Sequence, residues 1–194
     1  MAIALPGKRA GREREKSGTD DRLMAAWARG NRAAFDELYE RYKQPLYAYL
    51  FRSCRDEPLA SELFQDVWLR VISSAGSYRQ KGRFRSWIFA LAHNRLVDHY
   101  RRAEHQAICT RAEDEAAPGG GPSEQAETNE RMSRLEEVVG ELPMEQRQAF
   151  YLREECGFAV KDIAEIQSVT VEAAKSRLRY AYRKLRAALG EGIE

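Results

Sequence analysis

The chain has 194 residues and a mass of 22.3 kDa; 43% of residues are apolar, 32% are charged, and the mean hydropathy is −0.64. This supports one domain or two small ones, and no stretch approaches the ~18 uncharged apolar residues of a membrane span, so direct membrane insertion is not expected. The net charge of +2 resolves into +3 over residues 1–18, +5 over 19–103, −6 over 104–130 and zero over 131–194. Blocks of opposite sign in a small protein point to separate surfaces for separate partners.

In chain order, residues 1–18 (MAIALPGKRAGREREKSG) read as a disordered basic arm and not as a secretory signal. Residues 19–103 form a first helical unit. Thr19 and Asp20 are candidate caps for a short helix carrying Leu23, Met24 and Trp27 and ending at Gly30. Asn31 is expected to cap the next helix, in which Phe35, Leu38, Tyr42, Leu46, Tyr49 and Leu50 recur at helical spacing and Pro45 should kink or break the run. Pro58 suits the first turn of a third helix, striped by Leu59, Leu63, Val67 and Val71. A loop from Gly76 to Gly82 precedes a fourth helix, about Phe84 to Arg102.

Residues 104–130 hold one basic and seven acidic residues, two prolines and three consecutive glycines. Such a segment cannot bury enough surface to offset its ordering entropy, so a flexible acidic linker is expected. Residues 131–190 form a second helical unit. Pro143 opens a helix closed by Gly157; VKDIAEIQ, the break SVT and a long helix from Val171 follow. Alternating β-branched runs and hairpin turns are absent, so the fold class is all-α, two small helical domains on either side of the linker.

The short helix, three-residue break and long helix have the layout of a DNA-binding helix-turn-helix, whose second helix enters the major groove. Ala174, Leu178, Ala181, Leu185 and Ala188 form the core stripe of that second helix. A basic face alone is ordinary solvated surface. Here it follows a turn with a Thr170 cap, and Lys175 to Arg186 holds six basic residues and no acid. Glu172, Lys175, Ser176 and Arg179 are therefore candidates for reading bases. Arg183 and Arg186 are candidates for phosphates, and Arg177 lies on the flank, where it can bind or pack.

Residues 70–102 carry eight Lys/Arg and the single acid Asp98, interleaved with aromatic residues and with Asn94. Basic residues track phosphates and rings or amides receive unstacked bases, so this composition suits a single strand. Phe84, Ser86, Asn94, Arg101 and Arg102 are the candidates, with loop residues Arg79, Lys81 and Arg83, while most of the area of Trp87 reads as core. Other chemistry finds no support. His93, His99, His105 and Cys109 do not share a helical face, three scattered cysteines form no disulfide or zinc framework, and neither a phosphate-binding loop nor a nucleophile with its base is present. No cofactor, small-molecule substrate or catalytic group is expected, and the cysteine usage fits the cytoplasm.

The segments ASELFQDVWLRV, GRFRSWIFALAHNRLVDHYRR and ELPMEQRQAFYLREECGFAVKDIAEI followed by AAKSRLRYAYRKLRAAL resemble bacterial RNA polymerase sigma factors of the small extracytoplasmic-function (ECF) class. The resemblance covers about residues 20–103 and 131–189, in the family's order. It implies a promoter-specificity subunit whose partners are the core polymerase (largest-subunit clamp helices and the flap region), promoter DNA and an anti-sigma factor. Carried over by position, Gln65, Asp66, Trp68, Leu69 and Arg70 fall in the clamp-binding segment. Phe84, Ser86, Trp87 and Asn94 fall in the segment that melts and reads the −10 element, and Lys175, Ser176, Arg177 and Arg179 in the −35 reader. The sequence departs from the family pattern at Ala159, where a capping Ser is usual, at Ser168, where the turn usually has Gly, and at Ala173-Ala174 in place of Thr-Val. Two rivals are a stand-alone helix-turn-helix regulator, which leaves the basic aromatic helix unexplained, and a protein-binding adaptor, which leaves the recognition-helix charge unexplained.

Overall fold

The structure is a computed structural model that describes residues 9–79, 83–109 and 128–189, with side-chain surroundings for 19–79, 83–103 and 134–188. Eight helices make up the secondary structure of the described residues: α1 Arg9–Ala28, α2 Arg32–Cys54, α3 Glu57–Ser74, α4 Phe84–Cys109, α5 Thr128–Gly140, α6 Met144–Glu154, α7 Val160–Ile166 and α8 Val171–Leu189. The all-α fold is as expected.

Helix boundaries follow their punctuation. Asn31 Oδ1 accepts from Ala34 N at 3.3 Å and Asp56 Oδ1 from Leu59 N at 2.9 Å, with Pro58 in the first turn of α3. Gly30 (φ 93°) and Gly157 (φ 68°) take the left-handed conformation beyond their helices. Four expectations change in whole or in part. Residues 9–18 of the expected arm continue α1, and Asp20 does not cap it: its carboxylate is buried, taking Arg41 and the Tyr42 hydroxyl. Helix α2 runs through Pro45 without the break that was one of the two expected outcomes there. A helix-interior proline costs roughly 3 kcal/mol. Leu38, Tyr42, Leu46, Tyr49 and Leu50, all buried along the same helix, more than offset that at roughly 1.5–3 kcal/mol per large apolar side chain. Helices α4 and α5 extend into both ends of the expected linker; residues 110–127 of it lie outside the described residues.

Helices α1–α4 pack around Met24, Leu38, Leu46, Leu63, Val67, Ile88 and Leu96, and α5–α8 around Val139, Leu152, Ile163, Leu178 and Leu185. Helix α5 was not read as an element in the sequence, although Leu135, Val138, Val139 and Leu142 mark its buried stripe. The two units also pack on each other, α2 against α6 and α4 against α7. Phe89 of α4 and Phe158, just before α7, sit edge to face at 5.1 Å, and the Arg85 guanidinium lies 4.2 Å from the Phe158 ring centroid.

Candidate nucleic-acid interface

The helix-turn-helix is α7 and α8. Ser168 occupies the turn at φ 54°, a conformation that costs an L side chain roughly 1 kcal/mol. Ala159 stands at the start of α7 without a side-chain cap, as its methyl group dictates, whereas Thr170 Oγ1 caps α8 by accepting from Ala173 N at 3.1 Å. Ala174, Leu178, Ala181 and Leu185 are buried as their spacing predicts, whereas Ala188 is exposed in the last turn. Glu172, Lys175, Arg179 and Arg183 are exposed and Ser176 half-buried, so the expected reading face is presented to solvent. Lys175 Nζ reaches Glu172 Oε1 at 2.8 Å, which holds that carboxyl below its ordinary pKa, and Arg179 donates to Ser176 Oγ at 3.1 Å. Tyr180, 44% exposed, carries the Arg183 guanidinium 4.7 Å from its ring centroid.

Arg177 packs. Its Nη1 donates to Gln167 Oε1 at 2.9 Å, it pairs with the Glu145 carboxylate at 3.2 Å, and Gln167 Nε2 donates to the Glu145 carbonyl at 3.1 Å. The chain of contacts ties α8 to the end of α7 and the start of α6, which sets the angle at which the reading face is offered.

On the first unit, α4 begins in a ring cluster. Phe84 lies 5.4 Å from Tyr42, 5.9 Å from Tyr78 and 5.7 Å from Trp87, and the Tyr78 hydroxyl donates to Asp21 Oδ1 at 2.7 Å. Phe84, expected to touch the strand, is fully buried, so it anchors the helix instead of stacking on a base. Trp87 and Ser86 are half-buried, and Asn94, Arg101 and Arg102 are exposed. Trp87, Asn94, Asp98 and Arg101 share one outward stripe by helical spacing. Arg83 is engaged: its guanidinium pairs with the Glu165 carboxylate of α7, and Arg85 donates to the Cys156 carbonyl.

The α3 segment presents Gln65, Arg70 and Leu69 to solvent and keeps Asp66 half-buried. Leu69 is 62% and Ile72 41% exposed, one helical turn apart. Trp68, expected on this surface, is core: it is 5% exposed and packs among Phe35, Tyr39 and Phe64. The sequence reading missed the part of α2 beside it. Phe51, 42% exposed, stacks on Tyr47, and Tyr47 and Phe64 help line a shallow apolar groove with Lys43, Gln44 and Ala48. The signal was there, since Tyr47 and Phe51 lie four residues apart and off the buried stripe.

Polar groups are buried where the two units meet. Arg147 of α6 donates to the Gly140 carbonyl at 2.8 Å and across the junction to the Ser53 carbonyl at 2.7 Å; burial pulls its pKa below the usual arginine range. Arg52 of α2 pairs with Glu155. His93 of α4, 5% exposed, lies beside the fully buried Gln148 of α6, and burial lowers its pKa to about 4. No cluster of potential metal ligands occurs among the described residues.

Comparison with known proteins follows these two halves. The family model Sigma-70 region 2 matches residues 38–106, and Sigma-70, region 4 matches residues 132–185. The RNA polymerase sigma factor CarQ of Myxococcus xanthus is 29% identical over 168 residues, covering 87% of this chain and 96% of that protein. The ECF RNA polymerase sigma factor SigM of Mycobacterium tuberculosis is 30% identical over 172 residues, covering 89% and 85%. Among solved structures, the sigma factor RpoE in complex with the anti-sigma factor NepR from Bartonella quintana aligns with a TM-score of 0.71 at 18% identity, covering 82% of this chain and 98% of that one. CnrH in complex with the cytosolic domain of CnrY aligns with a TM-score of 0.63 at 22% identity, covering 88% and 97%.

Proposed function

The chain belongs to the sigma-70 family of RNA polymerase sigma factors, in its ECF group, and from that premise we propose how its surfaces divide the work of initiation. Residues 19–103 form the unit that docks on core polymerase and reads the −10 element, and residues 131–190 the unit that reads the −35 element. The clamp helices of the largest subunit seat on the outer face of α2 and α3, through Leu69, Ile72 and Phe51 with Gln65 and Arg70 at the edge. The exposed apolar side chains there support this reading, since an apolar centre with a polar rim is what a protein partner desolvates. Trp68 shapes the face from beneath.

The melted −10 strand runs along the outward face of α4, with Asn94 at an unstacked base, Trp87 beside it, and Arg83, Arg101 and Arg102 on phosphates. The −35 duplex takes α8 in its major groove. Lys175, Ser176 and Arg179 face base edges, Glu172 holds Lys175, and Arg183 meets the backbone. The single observation that carries the reading is the separation of α8 into a buried small-residue stripe and an exposed basic face directly after the Thr170-capped turn. The protein acts by binding, without catalysis or cofactor, in the cytoplasm where polymerase is. RpoE and CnrH were solved with an anti-sigma factor and with the cytosolic domain of CnrY respectively, which supports an anti-sigma factor as a further partner of this chain.

The test is transcription in vitro from a genomic fragment library, with core polymerase alone and with this protein added, and sequencing of the RNA 5′ ends. New starts that share two spaced upstream motifs are expected. Absence of new starts and of core binding would instead favour a stand-alone regulator.

A further inference from the structure

The outer surface of α8 carries one side chain to which the division of work above gives no role. Among the described residues, the exposed large apolar side chains are Phe51, Leu69, Ile72, Val171 and Tyr180. The first three form the proposed polymerase face, and Tyr180 has the Arg183 guanidinium over its ring. Val171, 40% exposed, is left. A lone exposed valine is ordinary surface. This one stands in a particular place.

Val171 is the first residue of α8, directly after the Thr170 cap. The apolar anchor of the turn is Val169, which is half-buried against the core, so a second valine is not needed to seat the helix. A β-branched residue also lowers helix propensity relative to alanine, and at an exposed position burial does not make that good. Val171, Lys175 and Arg179 recur every fourth residue and are all exposed, so they form one row along α8, apolar at its N-terminal end and basic beyond. The N-terminal residues of a recognition helix are the ones that meet base edges. In the major groove the base pairs present donors, acceptors and a single apolar feature, the 5-methyl group of thymine. A valine side chain, which can neither donate nor accept, has only that feature to recognise. The neighbouring Glu172 carboxylate is engaged by Lys175 Nζ at 2.8 Å. The row also sets a register, since four residues span about 6 Å of helix, close to two base-pair steps of about 3.4 Å.

We propose that Val171 is a specificity-determining residue of the −35 reader, its methyl groups seated against the 5-methyl group of one thymine about two base-pair steps from the pair that Lys175 contacts. This rests on the sigma-factor function above and deepens it. The basic residues fix where α8 lies and which hydrogen-bonding edges are read, and Val171 selects thymine through a contact that no hydrogen bond supplies.

The test replaces thymine by uracil, which removes the 5-methyl group and leaves every hydrogen-bonding edge unchanged. Holoenzyme assembled from core polymerase and the full chain is titrated with a promoter fragment taken from the mapped starts, each −35 thymine on either strand being replaced singly. Burying one methyl group is worth about fourfold in affinity, or about 0.8 kcal/mol. One replacement is therefore expected to weaken wild-type binding about fourfold. Val171→Ala should bind the thymine and uracil fragments alike at that position, while its responses elsewhere match the wild type and its melting temperature does not fall. Val171→Thr, which keeps one of the two methyl groups, should retain part of the difference. A wild-type holoenzyme indifferent to every −35 replacement overturns the proposal. So does a position that stays equally sensitive in Val171→Ala, because the methyl group is then read by another side chain or through the shape of the duplex. A chain that binds no core polymerase and yields no new starts refutes the sigma-factor function, and Val171's role with it, since no −35 element then exists. Promoter binding that is intact but blind to the methyl group refutes Val171's role alone.

Discussion

Mild acid should open the molecule, and His93 sets the size of the effect. In the closed form, with the two units packed together, burial on α4 lowers its pKa to about 4, the Gln148 side chain on α6 opposing the shift and the positive Arg177 on α8 adding to it. In the open form the imidazole returns to water and to an ordinary value near 6.5. The closed state therefore binds fewer protons, so its stability is intact above about pH 6.5 and is lost as pH falls toward 4. At pH 5.5 the loss is about 1.4 kcal/mol, a tenfold shift toward open, and at pH 5.0 about 2 kcal/mol. The assay is scattering and amide hydrogen exchange of α4 and α6 from pH 7.5 to 5.5, above the range in which exposed carboxylates titrate. His93→Leu keeps the volume without the proton and should remain closed across that range. An equal response in His93→Leu, or no response in the wild type, would refute the argument that this imidazole is the buried proton acceptor.

Four further predictions follow from the site. Ala159→Ser supplies the missing cap of α7 and Ser168→Gly relieves the left-handed turn; each should stabilise the second unit by about 1 kcal/mol in denaturant melts without altering −35 preference. Leu69→Asp, on a side chain 62% exposed, should leave the melting temperature nearly unchanged while weakening core-polymerase binding at least tenfold, measured by fluorescence anisotropy. Asn94→Ala should reduce open-complex formation by permanganate footprinting while sparing core binding; equal loss of both would make Asn94 a structural residue. Arg177→Ala leaves the buried Gln167 Oε1 without its donor, so it should destabilise the second unit by about 1 kcal/mol and weaken binding to all −35 variants alike, whereas Arg179→Ala should change which variant is preferred.

What the sequence made legible was whatever one helix decides alone. The caps at Asn31, Asp56 and Thr170 and the stops at Gly30 and Gly157 depend on a residue and its next turn, as does the buried stripe of α8. What it hid was decided between helices. Phe84 and Trp68 were assigned to partner surfaces by position, but an aromatic residue near a functional face packs inward when neighbouring helices bring further rings to it, as Tyr42 and Tyr78 do for Phe84 and Phe35 and Tyr39 do for Trp68. Arg177 shows the same limit. Its flank position allowed binding or packing, and Glu145, 32 residues earlier, decides for packing. Asp20 looked like a cap because nothing local reveals Arg41 and Tyr42 on the next helix. The contact between the two units is the extreme case, since the pairing of Arg83 with Glu165 spans 82 residues.

The packing of the two units leaves the halves of the first unit in opposite situations. Leu69, Ile72 and Phe51, the proposed polymerase face, are exposed, while Arg83 and Arg85 at the head of α4 are engaged by the second unit. Asn94, Arg101 and Arg102 farther along α4 stay exposed, so that engagement is confined to the start of the helix. Phe89 and Phe158 give the contact an apolar centre, and Arg147 crosses it to the Ser53 carbonyl. Core polymerase that fixes the spacing of the two units would turn two weak promoter contacts into one strong one through effective concentration.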